Sequence, residues 1–338
     1  MKKPIGKKFW RWIPGIVISG IALFILSRFI DIDELYKAIG QYSVVNIIFV
    51  IILIFLPLGL RALAWKSLLQ EISFKDSFLM INEGYFLNNL IPRSGEVARI
   101  FLAKRVSGIS AFHSAAAIIF ERGMDVVVAA GLFLSTIPFV VDLGWMRSLA
   151  IALMVLFCGI IIGMMLIALN AEKIEKWLLK RSYRFQFIEK SIKPVLIKGI
   201  QGLTALAKPK SLVVAIFWIL GAWIFWIALL FYALRIIEPS APFWWAIFAE
   251  GVLALGIALP SAPASLGVYE GTMVVALTVL GIDKNQALST AIILHSLQIL
   301  ITSVIGIIGL SIHGFSLAEI INKITNRLKK KSEETGNL

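Results

Sequence analysis

Arg93, Glu96 and Arg99, then Glu121, Arg122 and Asp125, then Glu270 and His295 stand in stretches otherwise too apolar for water. A charge at the centre of a bilayer costs roughly 2.5–3.5 kcal/mol on insertion scales, so such residues pair with one another or serve a passing ligand. The chemistry they suit is recognition of a charged headgroup. Guanidinium groups such as Arg93, Arg99 or Arg122 offer bidentate contacts to phosphate. Glu96 and Glu270 are groups whose protonation could change as access alternates. The competing reading is structural. Glu96 in a first helical turn complements the helix dipole and neutralises Arg93, Arg99 or Arg122, and His295 taken alone fits a satisfied core histidine.

These residues flank two interruptions. The apolar regions 78–105 and 243–281 are broken at Asn88-Asn89-Leu90-Ile91-Pro92-Arg93-Ser94-Gly95 and at Pro260-Ser261-Ala262-Pro263-Ala264-Ser265-Leu266-Gly267. Pro92, Pro260 and Pro263 remove backbone donors, while Ser94, Gly95, Ser265 and Gly267 relax the chain, so each region reads as two half-helices around an unwound turn. Lipid cannot satisfy the polar backbone of such a turn, which must face protein or a wet cavity. Half-helix starts at Ser94-Gly95 and Leu266-Gly267 would offer free N–H groups to an anion. Asn88 and Asn89 read as caps of the first turn rather than ligand contacts.

The elements that hold these turns follow from composition. With 59% hydrophobic and 16% charged residues in 338, lipid is the main solvent. Apolar runs near 13–30, 44–60, 113–141, 148–169, 211–234 and 286–312 are long enough to cross a bilayer as helices. The expected fold is an all-α integral membrane protein with about six transmembrane helices and two re-entrant helical hairpins. The run 13–30 reads as an uncleaved anchor, because it is longer than a signal core and no A-x-A-like site follows. Segment 170–210, punctuated by Lys173, Lys176, Lys180, Arg181, Arg184, Lys190, Lys193 and Lys198, reads as an interfacial helix on anionic headgroups, or else as a partner helix. The tryptophans are mostly near span ends, as interface anchors.

The net charge of +13 clusters between spans and at both termini, a membrane-surface pattern rather than a nucleic-acid one. If both hairpins return to the side they entered, the basic N-terminus, Arg61 with Lys66, Arg99 with Lys104 and Arg105, segment 170–210 and the tail after Lys323 share one side. The positive-inside rule makes that side cytoplasmic, in a cell (inner) membrane. Asp31, Asp33 and Glu34, the 142–147 loop and Asp283 face the other. Cys158 alone permits no intrachain disulfide, three histidines without H-E-x-x-H argue against zinc, and no nucleotide-binding glycine motif is present, so no metal or cofactor is expected. Asp31-Ile32-Asp33 has the D-x-D form of metal-dependent glycosyltransferases, but reads more simply as a helix-capping loop.

An offset of 174 places Glu270 on Glu96, His295 on Glu121 and Ala291-Ile292-Ile293 on Ala117-Ile118-Ile119. The single membrane domain then divides into a repeat half at 44–141, a connection made of span 148–169 and segment 170–210, a second half at 211–312 and a basic tail at 313–338. In the topology above the matched spans run in opposite directions. That is an inverted repeat, an architecture used by transporters for alternating access.

At Leu90-Ile91-Pro92-Arg93-Ser94-Gly95-Glu96-Val97-Ala98-Arg99 and at Pro263-Ala264-Ser265-Leu266-Gly267-Val268-Tyr269-Glu270-Gly271 the chain resembles the lysylphosphatidylglycerol synthase transmembrane-region, or flippase-like, family, over about residues 10–315. The resemblance implies movement of lipids between leaflets. The cargo would be an anionic or aminoacylated phospholipid, or a polyprenyl-phosphate carrier. Ala264-Ser265 stands where the family often has glycines and His295 where an arginine is common. The larger members carry a soluble aminoacyltransferase domain, which the tail after His313 is too short to supply. The alternative is the membrane component of a lipid-modifying transferase, working with a separate partner or as a homo-oligomer.

Overall fold

The computed structural model describes residues 31–70, 72–140, 169–180, 208–258 and 261–315, with scattered positions besides. Among these residues there are ten α-helices, one short 3-10 turn and no strand. In chain order they are α1 (Ile32–Ile39), α2 (Val44–Leu69), α3 (Phe74–Leu90), α4 (Gly95–Ser107), α5 (Ala111–Val140), α6 (Ala171–Lys180), α7 (Pro209–Ile237), α8 (Phe243–Ile257), the turn Pro263–Ser265, α9 (Val268–Val279) and α10 (Lys284–Ile312). Span 13–30, the 142–147 loop and the tail after Lys323 lie outside the described residues. So do much of span 148–169 and, apart from α6, residue 197 and the run into α7, segment 170–210.

Four helices, α2, α5, α7 and α10, are long and apolar enough to cross a membrane. Several such helices in one chain are the architecture of a multi-pass membrane protein. The expected end of the first of these spans at residue 60 is corrected: α2 continues through Pro57 and Arg61 to Leu69. Arg61 is no loop charge but a buried side chain held 2.6 Å from Asp125, so the helix can carry it into the interior. Arg99 is likewise buried and not a surface charge.

The remaining apolar helices are too short to cross alone. At 1.5 Å per residue, α3 reaches about 26 Å, α4 about 20 Å, α8 about 22 Å and α9 about 18 Å, against a hydrocarbon core of about 30 Å. Local chemistry sets their ends. Ser73 caps α3 by accepting from the Asp76 amide, and α3 stops at Leu90 because Ile91, preceding a proline, turns extended. Beyond it Arg93 adopts a left-handed φ of 59°, and the chain re-enters a helix at Gly95. The second break is built the same way, with left-handed φ at Ala264, Ser265 and Gly267 before α9 begins.

Packing crosses between the halves. The most extensive pairing joins α2 to α7, where Val50, Ile54 and Leu58 meet Leu230, Ala233 and Leu234. Next come α3 on α10 and α8 on α5, so each hairpin lies against the long helix of the other half. Glycines permit the approach. A Cβ at Gly306 would sit 2.8 Å from the Asn82 carbonyl, and one at Gly251 would sit 2.9 Å from the Phe133 amide. The outer faces carry exposed Val44, Ile48, Phe112, Ile119 and Leu300, as a lipid-facing surface requires.

At the start of α1, Asp31 accepts from the amides of Asp33 and Glu34. The D-x-D sequence is thus a helix cap.

Candidate functional site

The two unwound turns meet across a cavity of about 820 Å³. Its walls include Asn88, Asn89, Pro92, Arg93 and Glu96 from the first hairpin, Arg122 and Asp125 from α5, Pro263 and Ser265 from the second turn, and His295 from α10. Trp223, Trp226, Leu229, Leu253 and Met273 supply apolar surface. Charged and apolar side chains thus share one cavity, the arrangement of sites that orient a ligand's polar group and cover its apolar part.

The charged floor is a network of five ion-paired residues with Glu96 at its edge. Arg99 donates to both oxygens of Glu121, at 3.3 and 2.8 Å, and stacks 3.9 Å over the Trp65 ring. Arg61 reaches Asp125 at 2.6 Å and Glu121 at 3.8 Å. Arg122 meets Glu121 at 3.3 Å, Asp125 at 3.2 Å and Glu96 at 3.9 Å. Trp223 Nε1 donates to Asp125 at 3.1 Å. Three guanidiniums therefore face three carboxylates, and their mutual attraction in a low-dielectric interior offsets the cost of removing them from water. Arg99 and Glu121 lie beneath the cavity wall rather than on it, whereas the Arg122 side chain is 45% exposed.

The second half has a smaller counterpart. His295 Nδ1 lies 2.6 Å from Glu270 Oε1, and the ring stacks on Tyr269 at 4.0 Å between centroids. Glu270 Oε2 accepts from the Gly267 amide at 2.6 Å, closing a cap on α9. At the first turn the amide of Gly95, the first residue of α4, donates to Asn88 Oδ1 at 2.6 Å. The expectation of free amides at Gly95 and Gly267 is thereby corrected: both donors are already used within the protein, because each turn closes its own helix start. Ser94 Oγ donates to the Leu87 carbonyl at 2.8 Å, and Asn89 reaches α10 through Thr302 and Ser303. Pro260 lies outside the described residues.

Two titratable side chains on the cavity wall have no ion pair among the described residues. Arg93 donates to the Ala258 carbonyl at 3.3 Å, joining the first turn to the end of α8, and has no carboxylate partner among the described residues. Glu250 of α8 lines the same cavity without a hydrogen bond or ion pair among the described residues. Sequence reasoning missed Glu250, Arg61 and Tyr269. Glu250 is a lone acid in an apolar half-helix, the signal that a buried charge gives, and Arg61 was placed with the surface charges.

Ala264 and Ser265 occupy left-handed φ values of 56° and 55°. This conformation costs a residue with a Cβ roughly 1–2 kcal/mol and glycine little. Ala264→Gly is therefore expected to stabilise the protein by about 1 kcal/mol, read as a higher midpoint of thermal unfolding in detergent.

A family model described as lysylphosphatidylglycerol synthase TM region matches residues 12–306. A UPF0104 membrane protein of Methanothermobacter thermautotrophicus is 24% identical over 334 residues, covering 90% of this chain and 96% of the relative. The UPF0104 membrane protein MJ1595 of Methanocaldococcus jannaschii is 22% identical over 321 residues, covering 88% and 93%. No solved structure gives a significant match. With the match running through both hairpins, three of the long helices and most of α10, the chain belongs to the lysylphosphatidylglycerol synthase transmembrane-region family.

Proposed function

We propose that this protein moves a lipid headgroup between the leaflets of the cell membrane. The cargo is an anionic or aminoacylated phospholipid or a polyprenyl-phosphate-linked lipid. The observation that carries the reading is the cavity between the two unwound turns, which the exposed Arg93 lines without a carboxylate partner among the described residues. Arg93 and the half-exposed Arg122 contact the phosphate, apolar walls admit the tails, and Asn88, Asn89, Glu96 and His295 line the path.

An inverted repeat supports a rocking mechanism. Each half has the order long helix, short helix, turn, short helix, long helix, and the contacts are exchanged in matching fashion, α3 on α10 and α8 on α5. The pairs Arg99–Glu121 and Glu270–His295 join corresponding helices in the two halves. In this reading both termini lie in the cytoplasm, where the basic residues of segment 170–210 meet anionic lipid. The capping role of Asp31 weighs against a D-x-D glycosyltransferase site.

Liposomes carrying fluorescent anionic lipids and a membrane-impermeant quencher test the reading. Wild type is expected to accelerate leaflet exchange. Arg93→Gln is expected to slow it roughly tenfold, the equivalent of one lost charge-assisted contact. No acceleration by wild type across anionic, aminoacylated and polyprenyl-phosphate lipids would instead favour a transferase component.

A further inference from the structure

Helix α3 runs antiparallel to the C-terminal part of α10 and packs against it from Thr302 to His313. At the cavity end Asn89 reaches Thr302 and Ser303 at 3.3 and 3.2 Å. One turn on, Phe86 lies against Gly306, and beyond it Glu83 lies against Gly309, where a Cβ would be 2.6 Å from Glu83 Oε1. At the far end a second group of titratable side chains closes the contact: Asp76 lies nine residues before Tyr85 and His313 eleven residues after Thr302, the nearest cavity-lining residues of α3 and α10, with Glu83 between.

Glu83 is completely buried. Its Oε1 lies 2.7 Å from His313 Nδ1, while its Oε2 has no hydrogen-bond partner among the described residues. The other ring nitrogen of His313 faces Asp76 Oδ1 at 3.4 Å. Asp76 is part-exposed, with 31% of its side chain open. A neutral imidazole has one N–H, so donating to carboxylates at both nitrogens requires the imidazolium. The hydrogen bond to Glu83 and the charges of Glu83 and Asp76 raise the His313 pKa above its ordinary value against the opposing effect of burial.

The groups that face the ring are Glu83 and Asp76, both from α3, and Asp76 also interacts with Ser73 and Lys75. On the neighbouring α2 and α4, Lys66, Lys104 and Arg105 are exposed, and His113 at the start of α5 is taken up by the Leu68 carbonyl at 3.2 Å.

We propose that Asp76, His313 and Glu83 form a proton-operated latch between the first hairpin and the last long helix, closed when His313 is protonated and released when it is not. The part-exposed Asp76 is the proton's entry, and Glu83 is the anchor. Because the same helix α3 forms the cavity wall at its other end, opening the latch frees a rigid arm of about 26 Å to move relative to α10. The latch stands on helix opening alone and does not depend on the identity of the transported lipid.

The sign of the pH dependence follows from the raised value. The latch contributes fully below about pH 6.5 and is lost as pH rises through the folded-state pKa of His313. Hydrogen exchange of the peptides covering α3, corrected for intrinsic rates and measured in nanodiscs from pH 5.5 to 9, reads it directly. In wild type, α3 is expected to exchange several-fold faster above the His313 pKa than below it. His313→Gln is expected to exchange fast at every pH, and Asp76→Asn, a part-exposed change that spares the core, is expected to move the transition to lower pH. With three histidines in the chain, ring-¹⁵N spectra assigned by single substitutions give the His313 titration independently. Protection of α3 that does not change with pH, or a His313 ring that titrates at or below about 6.5, would overturn the proposal.

Discussion

Glu121→Gln is expected to destabilise the protein by about 3–5 kcal/mol, the usual cost of removing one member of a buried ion-pair set. Glu121 is the carboxylate shared by Arg61, Arg99 and Arg122, and it is 1% exposed. Its neutral amide would leave Arg99 buried on the Trp65 ring with no countercharge of its own, and Arg99 Nε already lacks a hydrogen-bond partner among the described residues. The loss should appear as a lower midpoint of thermal unfolding by tryptophan fluorescence in detergent. Replacing both members, Arg99→Met with Glu121→Leu, should recover most of it, because two apolar side chains leave no orphaned charge. Equal destabilisation by the single and the double variant would mean that shape, not charge, sets the cost.

Gly95→Ala is expected to pry the first hairpin open. A Cβ at this position would overlap the Gly84 carbonyl and lie 2.7 Å from Asn88 Nδ2. The first of these is backbone on the facing arm, so no rotamer change relieves it. The cost should reach the upper end of overpacking, about 3 kcal/mol. The Gly95–Asn88 hydrogen bond that closes the turn would go with it. Proteolysis or hydrogen exchange should locate the change at residues 84–99, while Gly108→Ala, where no atom lies within 4 Å of the added carbon, should disturb only the left-handed end of α4.

Much of the architecture was readable from residue order. The breaks fall where proline, serine and glycine interrupt apolar runs, and the helices end there because the residue before Pro92 cannot stay helical and the following turn needs left-handed φ. The long spans α5, α7 and α10 appeared within a few residues of their bounds because lipid demands a minimum apolar length. The pairings were another matter. Arg61 reads as the end of a span, since its partner Asp125 is far along the chain and nothing local announces it. Glu83 and His313 stand 230 positions apart and become neighbours only when α3 docks on α10. The turn amides were expected to be free because capping by Asn88 and Glu270 is a matter of side-chain direction, which spacing alone leaves open.

The exchange of hairpins between halves sets an order for assembly. When α3 leaves the ribosome, the helix against which it will finally rest has not been made. At roughly 5–20 residues per second, some tens of seconds separate Phe86 from Gly306. During that interval Asn82 and Glu83 must be sheltered by lipid headgroups, by water or by an insertion chaperone, because their closing partner is the last long helix. Docking of α10 is thus the step that completes both halves at once. A chain interrupted before residue 284 leaves a hairpin with exposed polar side chains, the kind of signal by which membrane quality control recognises unfinished proteins.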